Sequence, residues 1–243
     1  MRLKATVAYD GSAFVGWQKQ PNGNSVQTEI EKAVSLINKE KTRVFGSGRT
    51  DAGVHGLGQV FHFDSPFEIQ GKAWIKALNS MLPLTIRIVD VEPVDDSFHA
   101  RYSAKTKTYE YRVNNGEYDL FKREYECYYP EKLDLGKIEE ACQRFLGEHD
   151  FTSFNATKLE VIENQVRTIY RFDFEVIDNH IIFTICGSGF LKYMVRMMIA
   201  TCLKCGTGKI KPEKITEMLE AKDKDVMQYN IEPNGLYLKK VNY

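Results

Sequence analysis

The sequence has no surplus of charge. Thirty-three Lys and Arg balance 33 Asp and Glu over 243 residues. That excludes a uniformly basic nucleic-acid binder but allows a locally basic cleft, because a partner feels the local field. Cysteine is scarce and odd in number, five in all, and no spacing suggests a disulfide framework. A reducing, cytoplasmic setting is therefore expected. No apolar run approaches the ~18 residues of a membrane span, so no membrane partner is expected. The opening "MRLKATVAYD" lacks the apolar stretch of a secretion signal and alternates like a strand. Metal-ligand patterns are missing too. Cys202 and Cys205 form a lone CxxC with no second pair, and His55, His62, His99, His149 and His180 show no HxxxH spacing. A structural zinc normally takes four ligands, so the two cysteines read as small residues on one helix face.

What is present reads as alternating helices and strands. Leu3, Ala5, Val7 and Tyr9 share one face of a strand. "NSVQTEIEKAVSLINKE" places Val26, Ile30, Ala33, Val34 and Ile37 on one helical stripe, with Asn24 or Ser25 as its cap. A strand near Arg43–Gly46, another at Gln59–Phe63, a helix in "QGKAWIKALNSML" and a strand in "IRIVDVEPV" complete the first half. The second half offers a strand in "TKTYEYRV" and a helix in "DLGKIEEACQRFLGEH". A hairpin follows, turning near Asp178–Asn179. Then come a long apolar helix in "FLKYMVRMMIATCLKC", a surface helix in "KPEKITEMLEAKD" with Lys222 and Lys224 as its solvated charges, and a closing strand in "GLYLKKVNY". Each half mixes strands with helices. This predicts an α+β protein of two subdomains, 1–104 and 105–243.

The densest glycine cluster is "GSGRTDAGVHG", Gly46 to Gly56. It fits neither the GxxxxGK[ST] phosphate loop, nor the GxGxxG dinucleotide loop, nor the GxSxG nucleophile elbow. Two readings are open at this level. One is a turn-rich hairpin loop that uses glycine for its tolerance of positive φ. The other is a loop that brings backbone close to a ligand and presents a single carboxylate, Asp51, held ionised by a cation so that it can act as a nucleophile.

The wider pattern resembles the TruA family of tRNA pseudouridine synthases. "GSGRTDAGVHG" is similar to that family's signature loop, and "YDGSAFVGWQKQPNGNSVQ" to its opening. "FHARYSAKTKTYEYRV", "HDFTSF", "GSGFLKYMVRMMIATCLKCGTGKI" and "GLYLKKVNY" follow in the family's order. Gly56 stands where alanine is common, and "EPNGLYL" departs locally from the family form.

The resemblance implies two α+β subdomains flanking a basic RNA-binding cleft, with no metal and no organic cofactor. It implies a homodimer that isomerises uridine to pseudouridine at positions 38, 39 and 40 in the anticodon stem-loop of tRNA. Asp51 matches the catalytic aspartate of the first subdomain. In the second, Arg196 matches the arginine that pairs with it, and Tyr109 the tyrosine that stacks on uracil and serves in proton transfer. Arg49 matches an arginine that helps displace the target base.

Arg101, Lys105 and Lys107 lie in a segment, Arg101 to Arg112, that interleaves cations with Tyr102, Tyr109 and Tyr111. That composition suits an RNA-facing surface, and equally a solvated strand. Alternation puts Tyr109 and Tyr111 on one face and cannot choose between them; the resemblance selects Tyr109. Competing readings are a related synthase acting on other RNA positions and a non-catalytic RNA-binding protein, which would have no need of Asp51.

Overall fold

The computed structural model describes residues 1–21, 23–157, 160–226 and 229–243. The chain forms two compact units, residues 1–105 with 237–243, and residues 106–236.

The first unit contains β1 (Arg2–Tyr9), α1 (Val26–Asn38), β2 (Phe45–Gly46), β3 (His55–Asp64), α2 (Gly71–Met81) and β4 (Ile86–Val94). In β1 every second residue is buried, and Leu3, Ala5, Val7 and Tyr9 meet the apolar stripe of α1 and Trp74 and Leu78 of α2 in one core. Each Leu, Val or Ile among them taken from water contributes about 1.5–3 kcal/mol. Ser25 caps α1, its Oγ accepting the Thr28 N–H at 3.2 Å. β1 pairs antiparallel with both β3 and β4. β2 is shorter than the sequence suggests, pairing only Phe45 with His62 and Gly46 with Phe61.

The second unit contains β5 (Thr106–Asn114), β6 (Cys127–Tyr128), α3 (Leu135–Gln143), β7 (Gly147–Asp150), β8 (Val166–Ile177), β9 (His180–Gly187), α4 (Met194–Gly206) and α5 (Lys214–Ala221). Its strands run in the order β5-β9-β8-β7, antiparallel throughout, with β6 parallel to β5 at the edge. The β8–β9 hairpin turns at Asp178, whose φ is 53°. Helix α3 ends at Gln143, well before His149, and Gly147 at φ 94° opens β7. The last strand, β10 (Leu236–Asn242), returns to the first unit and runs parallel to β3, with Tyr237 opposite His55.

Two further sequence expectations change. Lys224 does not sit on α5, which stops at Ala221. It lies in a short 3-10 turn, and its ammonium donates to the Asn155 carbonyl, Asn155 Oδ1 and the Thr157 carbonyl, so it is a structural tether rather than a solvated surface charge. The helix in "FLKYMVRMMIATCLKC" begins only at Met194, because Tyr193 adopts φ 63°. Cys202 is buried on that helix, its sulfur 3.8 Å from that of Cys142 on α3, and burial raises the Cys202 thiol's pKa. No helix among the described residues is long and apolar enough to cross a membrane.

Candidate active site

The glycine loop lies between β2 and β3, and its residues are fastened from several sides within the first unit. Ser47 Oγ donates to Gln59 Oε1 at 2.6 Å, and Gln59 Nε2 donates back to the Gly48 carbonyl at 3.0 Å. Thr50, immediately before Asp51, is held twice. Its hydroxyl is 2.8 Å from the Tyr9 hydroxyl, and its carbonyl accepts the Trp17 N–H at 3.1 Å. The second bond needs Gly16. That residue has φ 100°, and a Cβ there would lie 2.6 Å from the Thr50 carbonyl oxygen. Beyond Asp51 the Val54 N–H bonds to the Asp51 carbonyl, closing a turn through Gly53 at φ 78°. Asp51 itself is half-buried, and Arg49 is exposed.

The far end of the loop is equally fixed. His55 Nδ1 accepts the Gly11 N–H at 3.0 Å, which puts the ring proton on Nε2, and the ring stacks on Tyr237 at 4.6 Å. Tyr9 is buried, and desolvation raises its pKa, so it remains a neutral hydroxyl that can donate or accept toward Thr50. The loop is thus a rigid carrier whose glycines permit close backbone approach, with one acid at its tip.

The other two principal residues belong to the second unit. Tyr109 on β5 is 8% exposed and meets Phe190 edge to face, with ring centroids 5.1 Å apart. Tyr111 is wholly buried and donates its hydroxyl to the Glu232 carbonyl at 2.7 Å. Alternation put both tyrosines on one face, and both are buried; the structure gives Tyr111 a bond in the core. Arg196 sits in the first turn of α4, partly buried. Its Nε donates to the Ile231 carbonyl at 2.6 Å, and its guanidinium lies 4.9 Å from the Tyr193 ring centroid. Arg196 and Tyr111 therefore grip the consecutive carbonyls of residues 231 and 232. A non-glycine residue in the left-handed region, as Tyr193 is, is held there by its surroundings. The Lys192 N–H donates to Thr157 Oγ1 at 3.1 Å, and the Lys192 carbonyl accepts from Ala156.

The cations of the "RYSAKTKTYEYR" segment differ in setting. Arg101 and Lys105 are exposed on the first unit; Lys107 is half-buried on β5. Arg112 is paired on its own strand with buried Glu110 at 2.8 Å. Sequence reasoning did not find Tyr9, Gln59 or Tyr193 as supports of the loop and of Arg196. Their signal is tertiary, apart from the Tyr-Asp-Gly of the opening motif.

A family model described as tRNA pseudouridine synthase matches residues 5–103 and 141–243. The chain is 48% identical over 242 residues to a protein from an Exiguobacterium strain named tRNA pseudouridine synthase A, covering all of this chain and 98% of that protein. It is 46% identical to the Bacillus subtilis protein of the same name and 45% identical to that of Listeria monocytogenes, covering all of this chain and 99% of each relative. With matches that span both units and the glycine loop, this chain belongs to the tRNA pseudouridine synthase family.

Proposed function

We propose that this enzyme, an isomerase that converts uridine to pseudouridine, acts on uridines 38, 39 and 40 in the anticodon stem-loop of tRNA. The observation that carries this reading is the end-to-end similarity to proteins named tRNA pseudouridine synthase A. The bond from ribose C1′ to N1 of the base breaks, one from C1′ to C5 forms, and the C5 proton is lost as N1 gains one. The reaction is redox-neutral.

Asp51 supplies the carboxylate. Such a group can attack carbon and later leave, as the base must detach and turn while still held. Arg196 pairs with it and keeps it ionised, since a guanidinium favours the charged form of a carboxylate. Tyr109 stacks on the uracil and moves a proton. A uridine in a stem must leave the stack first, at a cost of a few kcal/mol. Arg49 offsets part of that cost by occupying the vacated space.

Arg101, Lys105 and Lys107 meet phosphates along a basic cleft. Placement has to supply this affinity, because residues 1–105 hold 13 basic against 11 acidic residues and residues 106–243 hold 20 against 22. A homodimer lengthens the surface that one tRNA can span, and the setting is cytoplasmic.

The test is to map pseudouridine in tRNA from a strain lacking this protein, then restore it with wild type or with Asp51→Asn. Loss at positions 38–40, rescued only by wild type, is expected. Intact pseudouridine there with loss elsewhere would redirect the enzyme to another RNA position. Rescue by Asp51→Asn would remove the carboxylate from the mechanism.

A further inference from the structure

The first unit carries a group of aromatic rings that the reaction does not use. Phe45 on β2 is 45% exposed and Tyr102 is 78% exposed. They are linked through histidines. Phe45 stacks on His62 at 5.0 Å and 17°, His62 meets His99 at 4.7 Å, and His99 meets Tyr102 at 4.4 Å. Phe45 also meets His99 directly, at 5.9 Å.

This surface is fixed from beneath. His62 is buried, and its Nδ1 accepts the Ala100 N–H at 3.1 Å. His99 Nδ1 accepts the Arg101 N–H at 3.1 Å, and the His99 N–H is held by Ser103 Oγ at 3.0 Å. Burial lowers the pKa of both histidines, so the rings carry no charge at neutral pH. The nearby acid Asp64 is already paired with Arg2 at 2.9 Å. At the exposed end the Arg101 guanidinium lies 5.8 Å from the Tyr102 ring centroid.

A rigid, exposed π-surface with a cation beside it has the two elements that bind unpaired nucleic acid: a face for a base and a charge for its phosphate. Core packing does not account for Tyr102, which is largely in solvent. The surface also shares the β2–β3 pair with the Asp51 loop, since Phe45 is in register with His62.

We propose that Phe45, His99 and Tyr102 form a stacking surface for an unpaired nucleobase of the tRNA other than the uridine being isomerised, with Arg101 on the adjoining phosphate. This rests on the reading of tRNA as substrate.

The experiment measures tRNA affinity of the full-length enzyme over a range of salt, together with kcat and KM. Tyr102→Ala combined with Phe45→Ala should weaken binding on the order of tenfold, as expected for a lost base stack. The loss should appear in KM and leave the salt slope unchanged, because stacking releases no counterions. Tyr102→Trp should restore most of the affinity. Arg101→Gln should instead flatten the slope by about one unit. Tyr170→Ala, an exposed tyrosine on β8, serves as control and should match wild type. Unchanged affinity in the double variant would overturn the proposal. So would a loss accompanied by a change in sedimentation, which would make the patch a contact between copies of the chain. A wild type that binds tRNA without forming pseudouridine would count against the catalytic reading alone, and the binding comparison would still decide the stacking surface.

Discussion

The hydroxyls of Tyr9 and Thr50 lie 2.8 Å apart in the core of the first unit, tying β1 to the residue before Asp51. Both residues are buried, at 5% and 7% exposure, so water cannot replace a lost partner there. Tyr9→Phe keeps the ring and leaves the Thr50 hydroxyl without its partner, a cost of about 1–3 kcal/mol. The Trp17 bond to the Thr50 carbonyl remains, so the loop should stay folded but hold Asp51 less closely. The expected result is a lower melting temperature and a kcat reduced about tenfold, with tRNA affinity within twofold. An unchanged kcat would show that this clamp does not set the position of Asp51.

Arg196 should resist conservative replacement. Its Nε is committed to the Ile231 carbonyl while its guanidinium carbon lies 4.9 Å from the Tyr193 ring centroid. Lysine retains the charge but can neither stack in that way nor offer a second parallel donor. If the guanidinium orders Asp51, Arg196→Lys should lower kcat about 100-fold or more, the scale seen when one stabilising donor is removed. Affinity should change less than threefold. Tyr193→Phe, which keeps the ring, should resemble wild type, and Tyr193→Ala should show part of the Arg196→Lys defect. A large affinity loss with normal turnover would make Arg196 a binding residue.

Tyr109 allows its ring and its hydroxyl to be separated. The ring packs edge to face on Phe190, so Tyr109→Phe preserves the local packing. Loss of a proton-transfer group typically costs 10²–10⁴-fold, and a reduction of about 100-fold in kcat with little change in affinity is expected. Wild-type turnover in Tyr109→Phe, with loss only in Tyr109→Leu, would leave stacking as the sole role.

Local features were legible in the sequence and tertiary ones were not. The alternation of β1, the stripe of α1 and the cap at Ser25 follow from neighbouring residues, and the structure has all three. The glycine loop and its acid stand out because their composition departs from both helical and strand patterns. By contrast, α4 differs from expectation at Tyr193, where a left-handed φ redirects the chain, and α3 stops at Gln143 although the apolar pattern continues through Phe145 and Leu146. The parallel pairing of β10 with β3 joins residues about 180 apart, and no local signal encodes it. The supports of the loop, Tyr9, Trp17 and Gln59, are hydrogen-bond partners from other segments of the first unit. Lys224 reads as a surface charge until its three carbonyl and amide acceptors are seen.

His62 makes stability depend on pH in a window that can be isolated. Burial, reinforced by His99 and Arg2, lowers its pKa to about 4, against about 6.5 for the unfolded chain. Above pH 6.5 neither state binds the proton. Between about 6.5 and 4 only the unfolded state does, so stability falls as the pH drops through this range. The slope is roughly 1.4 kcal/mol per pH unit, for a loss approaching 3 kcal/mol. His99 is shifted in the same direction and adds to the loss. Asp64 acts elsewhere. Its hydrogen bond with Arg2 lowers its pKa, so its contribution is complete above about pH 3.8 and disappears only below that. His62→Asn keeps an acceptor for the Ala100 N–H and removes the titration. Urea denaturation of both proteins from pH 7 to pH 4.5 should show wild type losing stability and the variant, though less stable at pH 7, losing distinctly less. A flat wild-type profile, or equal slopes in the two proteins, would show that His62 does not govern this range.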